Sequence, residues 1–390
     1  MKSIQDYWQE KKQIAKNSYT SLPPINYNYG SQIKSEFLNL DWTNLLKNPE
    51  KNDPLEKYPL NKEIKIYDLN TLPAELFNHY FARAIPIKEN KITSLHYNLL
   101  NSLTFIVIPK NISIKEPVYL TTSFQKGLNA SHIVILAEEN SQANIYDLTE
   151  SSDTALSTIF RELFLLNNSN INYYTLYSQN KEISLHNLQV ELFENSHLNV
   201  YEFLIGGNSL HNFNARHLKS HACFHYHCAF LANNNTTYDL SSSSIHSAKK
   251  TSSSLNIKGL TTNKAKALFR GKIKILPRAK FSSGHQHSSL IILGNDAHAE
   301  AVPILEVENN EISCSHGAAI SRINEEQLFY LKSRGISSET AQEILINAHL
   351  SPIINQFPDS LQTKIYSLIQ QSIISLKKEP YLTLDQMKNN

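Results

Sequence analysis

Glycine is scarce in this chain, with 10 residues in 390. Neither a G-x-x-x-x-G-K-[ST] phosphate loop nor a G-x-G-x-x-G fingerprint occurs, so no recognisable cradle for ATP or a dinucleotide is present. Any work driven by ATP would need a partner that hydrolyses it. Cysteine is rarer still, at three. An odd, small number over this length argues against a secreted disulfide framework and for a reducing, cytoplasmic setting. The opening residues Met1-Lys2-Ser3-Ile4-Gln5-Asp6 form neither a signal peptide's apolar stretch nor an acid-poor transit peptide. No apolar run approaches the roughly 20 residues that a membrane helix needs. Charge of neither sign prevails, at +2 overall, which leaves no basic footprint for nucleic acid and no polybasic run for a membrane surface. Also missing are a Gly-x-Ser-x-Gly elbow and any convergent pair of acids of the kind used by glycosidases; Asp239 stands alone, and Glu300, Glu306 and Glu308 are scattered.

What is present falls into three stretches. Residues 1–95 are mixed: Gln5 to Lys16 suits a helix halted by Leu22-Pro23-Pro24, Leu45 to Pro59 reads as a loop, and Thr71 to Ala84 is a second helical candidate. Residues 96–312 change texture. Short apolar runs such as Phe105-Ile106-Val107-Ile108 and Ile133-Val134-Ile135-Leu136 alternate with polar turns, and several follow a small or polar pair, as in Asn168-Ser169-Asn170-Ile171 and Asn195-Ser196-His197-Leu198. Many short strands at an irregular spacing of roughly two dozen residues suit a parallel β-helix, in which no single coil can bury its own face. A β-sandwich would call for more Gly and Pro hairpin turns. Residues 313–390 turn helical. Asn324 and Gln327 resemble a capping box, Gly335 sits where a C′ glycine ends a helix, a second helix is expected from Ser338 to Asn355, and Asp359 opens a third with Leu361, Ile365, Leu368, Ile369 and Ile373 on one stripe.

Two constellations could carry chemistry. His221, Cys223, His225 and His227 alternate along one expected strand and would share a face. Imidazole and thiolate suit zinc or iron, but ligands two apart on a strand form a line rather than a tetrahedron. An outward polar face that happens to be histidine-rich is the plainer reading, and it applies equally to His285 and His287. Cys314 and His316, also two apart, fall where the last strand meets the helical region. One Cys and one His cannot complete a four-coordinate site, so metal there would require ligands from a second subunit. Just beyond, Leu328, Phe329 and Leu331 have the spacing of packing residues, leaving Tyr330, Lys332 and Arg334 to face outward.

Cys314-Ser315-His316-Gly317-Ala318 and the stretch from Gln327 to Ile336 resemble the SufB/SufD family of iron-sulfur cluster assembly scaffolds. So do Tyr238-Asp239 through His246 to Ser253, Leu268-Phe269-Arg270-Gly271-Lys272-Ile273 and Pro303-Ile304-Leu305-Glu306-Val307. Gly317, where the SufB branch carries a glutamate after the family histidine, is similar to the SufD branch instead. The resemblance implies a right-handed parallel β-helix flanked by helical regions and a non-enzymatic scaffold. It also implies pairing with a SufB-like paralogue and docking of a SufC-like ABC-type ATPase through Phe329, Tyr330, Lys332, Arg334 and Gly335, while the sequence leaves open whether the chain forms a homodimer when alone. It implies that His316, with Cys314 beside it, serves a nascent iron-sulfur cluster at the paired interface, with no cofactor held stably by the single chain. A β-helix carbohydrate-active enzyme, and a stand-alone metal-binding protein built on His221, Cys223, His225 and His227, are the competing readings.

Overall fold

A computed structural model describes residues 4–23, 55–57, 63–124, 126–151, 154–178, 183–323 and 325–376. Its body is a parallel β-solenoid. From Thr104–Ile108 onward, successive strands alternate between two sheets, nine-stranded among the described residues, and each pairs in parallel with the strand one coil further on, while the short entry strands Leu55–Lys57 and Lys65–Tyr67 pair antiparallel. In one sheet, His197–Ile205 pairs with Cys223–Ala232, followed by Ser252–Thr262, Ser283–Leu293 and finally Ser313–Arg322. The other sheet ends in Lys266–Ile275 and His298–Val307. Each strand of one sheet is thus the crossover for the other, which is how parallel pairing is achieved here without helices.

Period-two alternation divides the residues between lumen and surface. Along Cys223–Ala232, Phe224, Tyr226 and Cys228 are buried, while Cys223, His225 and His227 face outward. The buried set joins a continuous core with Ile135, Val190, Leu240 and Ile273. One corner repeats a residue at positive φ: Asn111, Asn140, Asn168, Asn195, His221, Lys250 and Phe281. Asparagine tolerates the left-handed region better than most residues, so a glycine-poor chain still turns. The side chains also stack, with Asn168 Nδ2 donating to Asn140 Oδ1 at 3.0 Å and Asn195 Nδ2 to Asn168 Oδ1 at 2.9 Å.

Among the described residues, three helices precede the solenoid core: α1 (Ile4–Ser21), α2 (Ala74–Tyr80) and α3 (Lys91–Leu99). The third is a helix where the sequence suggested entry into the solenoid; Asn90 caps it by accepting from Thr93 N. Glu162 ties this end down by accepting from the backbone N–H of Ala82, Ala84 and Ile85. Three more helices follow: α4 (Glu325–Ser333), α5 (Ser338–Ile354) and α6 (Asp359–Leu376). Ile346, Leu350, Ile353, Phe357, Leu361, Ile365 and Ile369 bury against Phe203, Leu231 and Leu260 on the outer face of one sheet. The stripe at helical spacing is therefore the docking face of α6. Asn324, half of the expected capping box, lies outside the described residues, as does most of Leu45 to Pro59.

A boundary at 312/313 falls at the start of the last strand. The solenoid continues to Arg322, so Cys314 and His316 belong to a strand and not to a junction.

Candidate functional site

The solenoid's C-terminal end is open. Among the described residues, Ser313–Arg322 pairs only with Ser283–Leu293, and His298–Val307 only with Lys266–Ile275. The outer edge of each final strand therefore presents backbone donors and acceptors, the feature that lets a sheet recruit another chain.

Cys314 and His316 sit on the lumen side of this last strand. Their register partners are Gly284 and Gln286. A Cβ on Gly284 would stand 2.7 Å from Ile273 Cγ2 in the opposite sheet, so this face looks inward. Cys314 is half-buried against the lumen core, together with Ala299, Ala301 and Leu305. Burial pushes its thiol up from the usual range, which favours the protonated form until a cation or metal lowers it. His316 is exposed, because no further coil covers it. The structure thus brings the two predicted residues onto one face at the mouth of the lumen, roughly 7 Å apart along the strand. They supply two donors, too few to complete a four-coordinate group.

A shallow depression of about 420 Å³ at this edge is lined by residues of both faces, among them His285, Gln286, His287, Ser315, His316 and Gly317. His285 Nδ1 lies 2.7 Å from Ser315 Oγ. A Cβ at Gly317 would approach His287 Nδ1 to 3.2 Å, so the glycine leaves that imidazole room.

The histidine-rich strand is not arranged as the alternation suggested. His221 is a corner residue at φ 62, ahead of the strand that begins at Cys223, and does not share its face. Cys223 Sγ meets His225 Nε2 at 3.1 Å, while His227 stacks on Tyr201 with centroids 5.3 Å apart. Burial lowers both imidazoles, His227 to about 4. Among the described residues no three His, Cys, Asp or Glu side chains converge to hold a metal.

Helix α4 projects from the body. Phe329 is 73% exposed and Tyr330 57%, so Phe329, given the spacing of a packing residue, faces outward. Lys332 and Arg334 are exposed too, and the Arg334 guanidinium covers the Tyr330 ring at 5.3 Å. Gly335, at φ 85, ends the helix: its N–H donates to Lys332 O, and Ile336 N–H to Leu331 O. A groove of about 370 Å³ between α4 and α5, lined by Gln327, Tyr330, Leu331, Ile344 and Leu345, adjoins the aromatic pair.

Sequence reading gave no weight to Gln286. Its only trace was Gly271 inside a strand, where a glycine marks a close approach. A Cβ there would stand 2.6 Å from Gln286 Oε1.

The described residues thus form a parallel β-solenoid whose open end carries Cys314 and His316, with an exposed aromatic helix in the same chain. The family model described as "SUF system FeS cluster assembly, SufBD core domain" matches residues 119–349, and the chain belongs to this family. Proteins of Staphylococcus epidermidis and Staphylococcus aureus, each named an iron-sulfur cluster assembly SufBD family protein, are 27% identical to it over 305 residues. That alignment covers 76% of this chain and 65% of each relative. No helix among the described residues is long and apolar enough to cross a membrane.

Proposed function

We propose that this chain is the SufD-type member of a cluster-assembly scaffold and catalyses no reaction itself. A SufB-like paralogue pairs with the open solenoid end and supplies the missing ligands, with His316, and Cys314 beside it, contributing to the nascent iron-sulfur cluster. The cluster is cargo, assembled and passed on. A SufC-like ATPase docks on α4 through Phe329, Tyr330, Lys332 and Arg334, with Gly335 ending the helix. Its ATP cycle would shift the paired interface, and neither glycine-rich nucleotide motif occurs in this chain's own sequence.

The observation that carries the reading is the placement of His316: an exposed soft ligand on the lumen side of a strand whose outer edge pairs with nothing described. Buried in a dimer, that edge would gain hydrogen bonds as His316 gained neighbours. Gly317 in place of the SufB-branch glutamate supports the SufD-type assignment.

Co-expression with SufB-type and SufC-type subunits, followed by size-exclusion chromatography with mass determination, tests the partners. A complex containing all three is expected. A chain that elutes as a monomer or a homodimer even with both partners present would overturn the assignment. Within the complex, His316→Ala is expected to abolish cluster formation on anaerobic reconstitution, and wild-type yield would remove His316 from the site.

A further inference from the structure

We propose that Gln286 is a positioning residue for His316, its side-chain oxygen accepting the ring N–H and so fixing which imidazole nitrogen is left to meet iron. This rests on the reading of His316 given above. Gln286 and His316 are direct register partners on adjacent parallel strands, so their side chains leave the sheet on the same side, one coil apart. Gln286 is 6% exposed, yet both its Oε1 and Nε2 lack a hydrogen-bond partner among the described residues. A buried amide with neither end satisfied is an exception that calls for an explanation.

The lumen is built around this side chain. Gly271, directly across in the other sheet, lacks the Cβ that would press on the amide oxygen. Gly271 pairs with Ser242 on one side and with Pro303 on the other, and Pro303 has no backbone N–H to offer. His316 is exposed only because the solenoid stops there. Once a partner covers the open end, its ring N–H must also find an acceptor. The unpartnered oxygen on the neighbouring strand is the nearest candidate in the register. Metal-bound histidines are ordinarily held in this way, by a carbonyl or carboxylate on the nitrogen that does not meet the metal.

The test uses the chain in complex with its SufB-type and SufC-type partners, with two readouts for each variant: iron and cluster absorbance after anaerobic reconstitution, and the thermal midpoint of the chain alone. Gln286→Leu is expected to lower iron retention about tenfold or more without lowering the midpoint, because it removes an amide that has no partner. Gln286→Glu, which keeps an oxygen at the same reach, is expected to recover most of the loss. Gly271→Ala, which displaces the amide from across the lumen, is expected to resemble Gln286→Leu. Wild-type cluster yield in Gln286→Leu overturns the proposal, and so does a yield that falls only in step with the midpoint. His316→Ala, run in parallel, separates the two readings. If it is fully active the site itself is wrong; if it is inactive while Gln286→Leu is not, only the role of Gln286 is lost.

Discussion

Arg161 Nε lies 2.7 Å from Asp147 Oδ2 inside the lumen, with both side chains sealed from solvent. Asp147 also accepts from Tyr173 Oη at 2.5 Å, and Arg161 donates to Ser131 Oγ at 3.0 Å. Removing one partner of such a pair leaves a buried charge uncompensated, at a cost of about 3–5 kcal/mol. Asp147→Ala is therefore expected to lower stability by that amount in urea titration. Replacing both residues together, Asp147→Leu with Arg161→Met, is expected to recover much of the loss, since an apolar pair needs no desolvation of charge.

The pH dependence of stability is set by buried groups of opposite tendency. Burial lowers His211 to about 3 and His246 to about 4, and burial with neighbouring histidines holds His96, His186 and His217 well below the usual range. Each is more acidic folded than unfolded, so its contribution is complete above about pH 6.5 and is lost as pH falls, at about 1.4 kcal/mol per pH unit per group. Glu202 is the reverse: burial raises its carboxyl to about 8, so its contribution is complete below about pH 4.5 and is lost as pH rises through 8. Its contact with His211 at 3.4 Å is thus an approach of neutral groups and not an ion pair. Thermal midpoints are expected to peak near pH 6.5, and Glu202→Gln to flatten the alkaline side up to about pH 8 and to steepen the acid side between about pH 4.5 and 6.5.

Phe329 and Tyr330 are expected to matter for partners and not for folding. Changing both to Ser should alter the chain's own stability by no more than about 0.5 kcal/mol, as for surface positions generally. Pull-down of the ATPase should fail. Capture at wild-type level would move the docking surface off α4.

The asparagine corner offers a fourth test. Asn168 holds φ 59 and donates to one neighbouring coil while accepting from the next. Asn168→Val is expected to cost about 1–2 kcal/mol in left-handed strain and about 1 kcal/mol more for the lost hydrogen bonds. Asn168→Gly should lose only the second part. Equal losses for the two variants in denaturant titration would show that the conformation itself carries no cost.

Much of the solenoid was legible in the sequence, because its signals are local. Alternation along a strand, polar pairs ahead of apolar runs and the stripe from Leu361 to Ile373 each act within a few residues. The short Cys314-Ser315-His316-Gly317 motif likewise carried the family. Helix Lys91–Leu99 was missed because its apolar residues could serve either period. His221 was misplaced because nothing local marks where a corner ends and a strand begins.

Register decided the rest. Arg161 meets Asp147, Gln286 lies beside His316, and Gly271 yields space to Gln286 only because coils stack with a particular offset. That offset follows from the length of every intervening turn. The sequence by itself determined the alternation along the strands and which ligands the chain can offer. The tertiary structure alone decided that Cys314 and His316 stand at an open end, because exposure there depends on the absence of a next coil, a property of the stack and not of any residue in it.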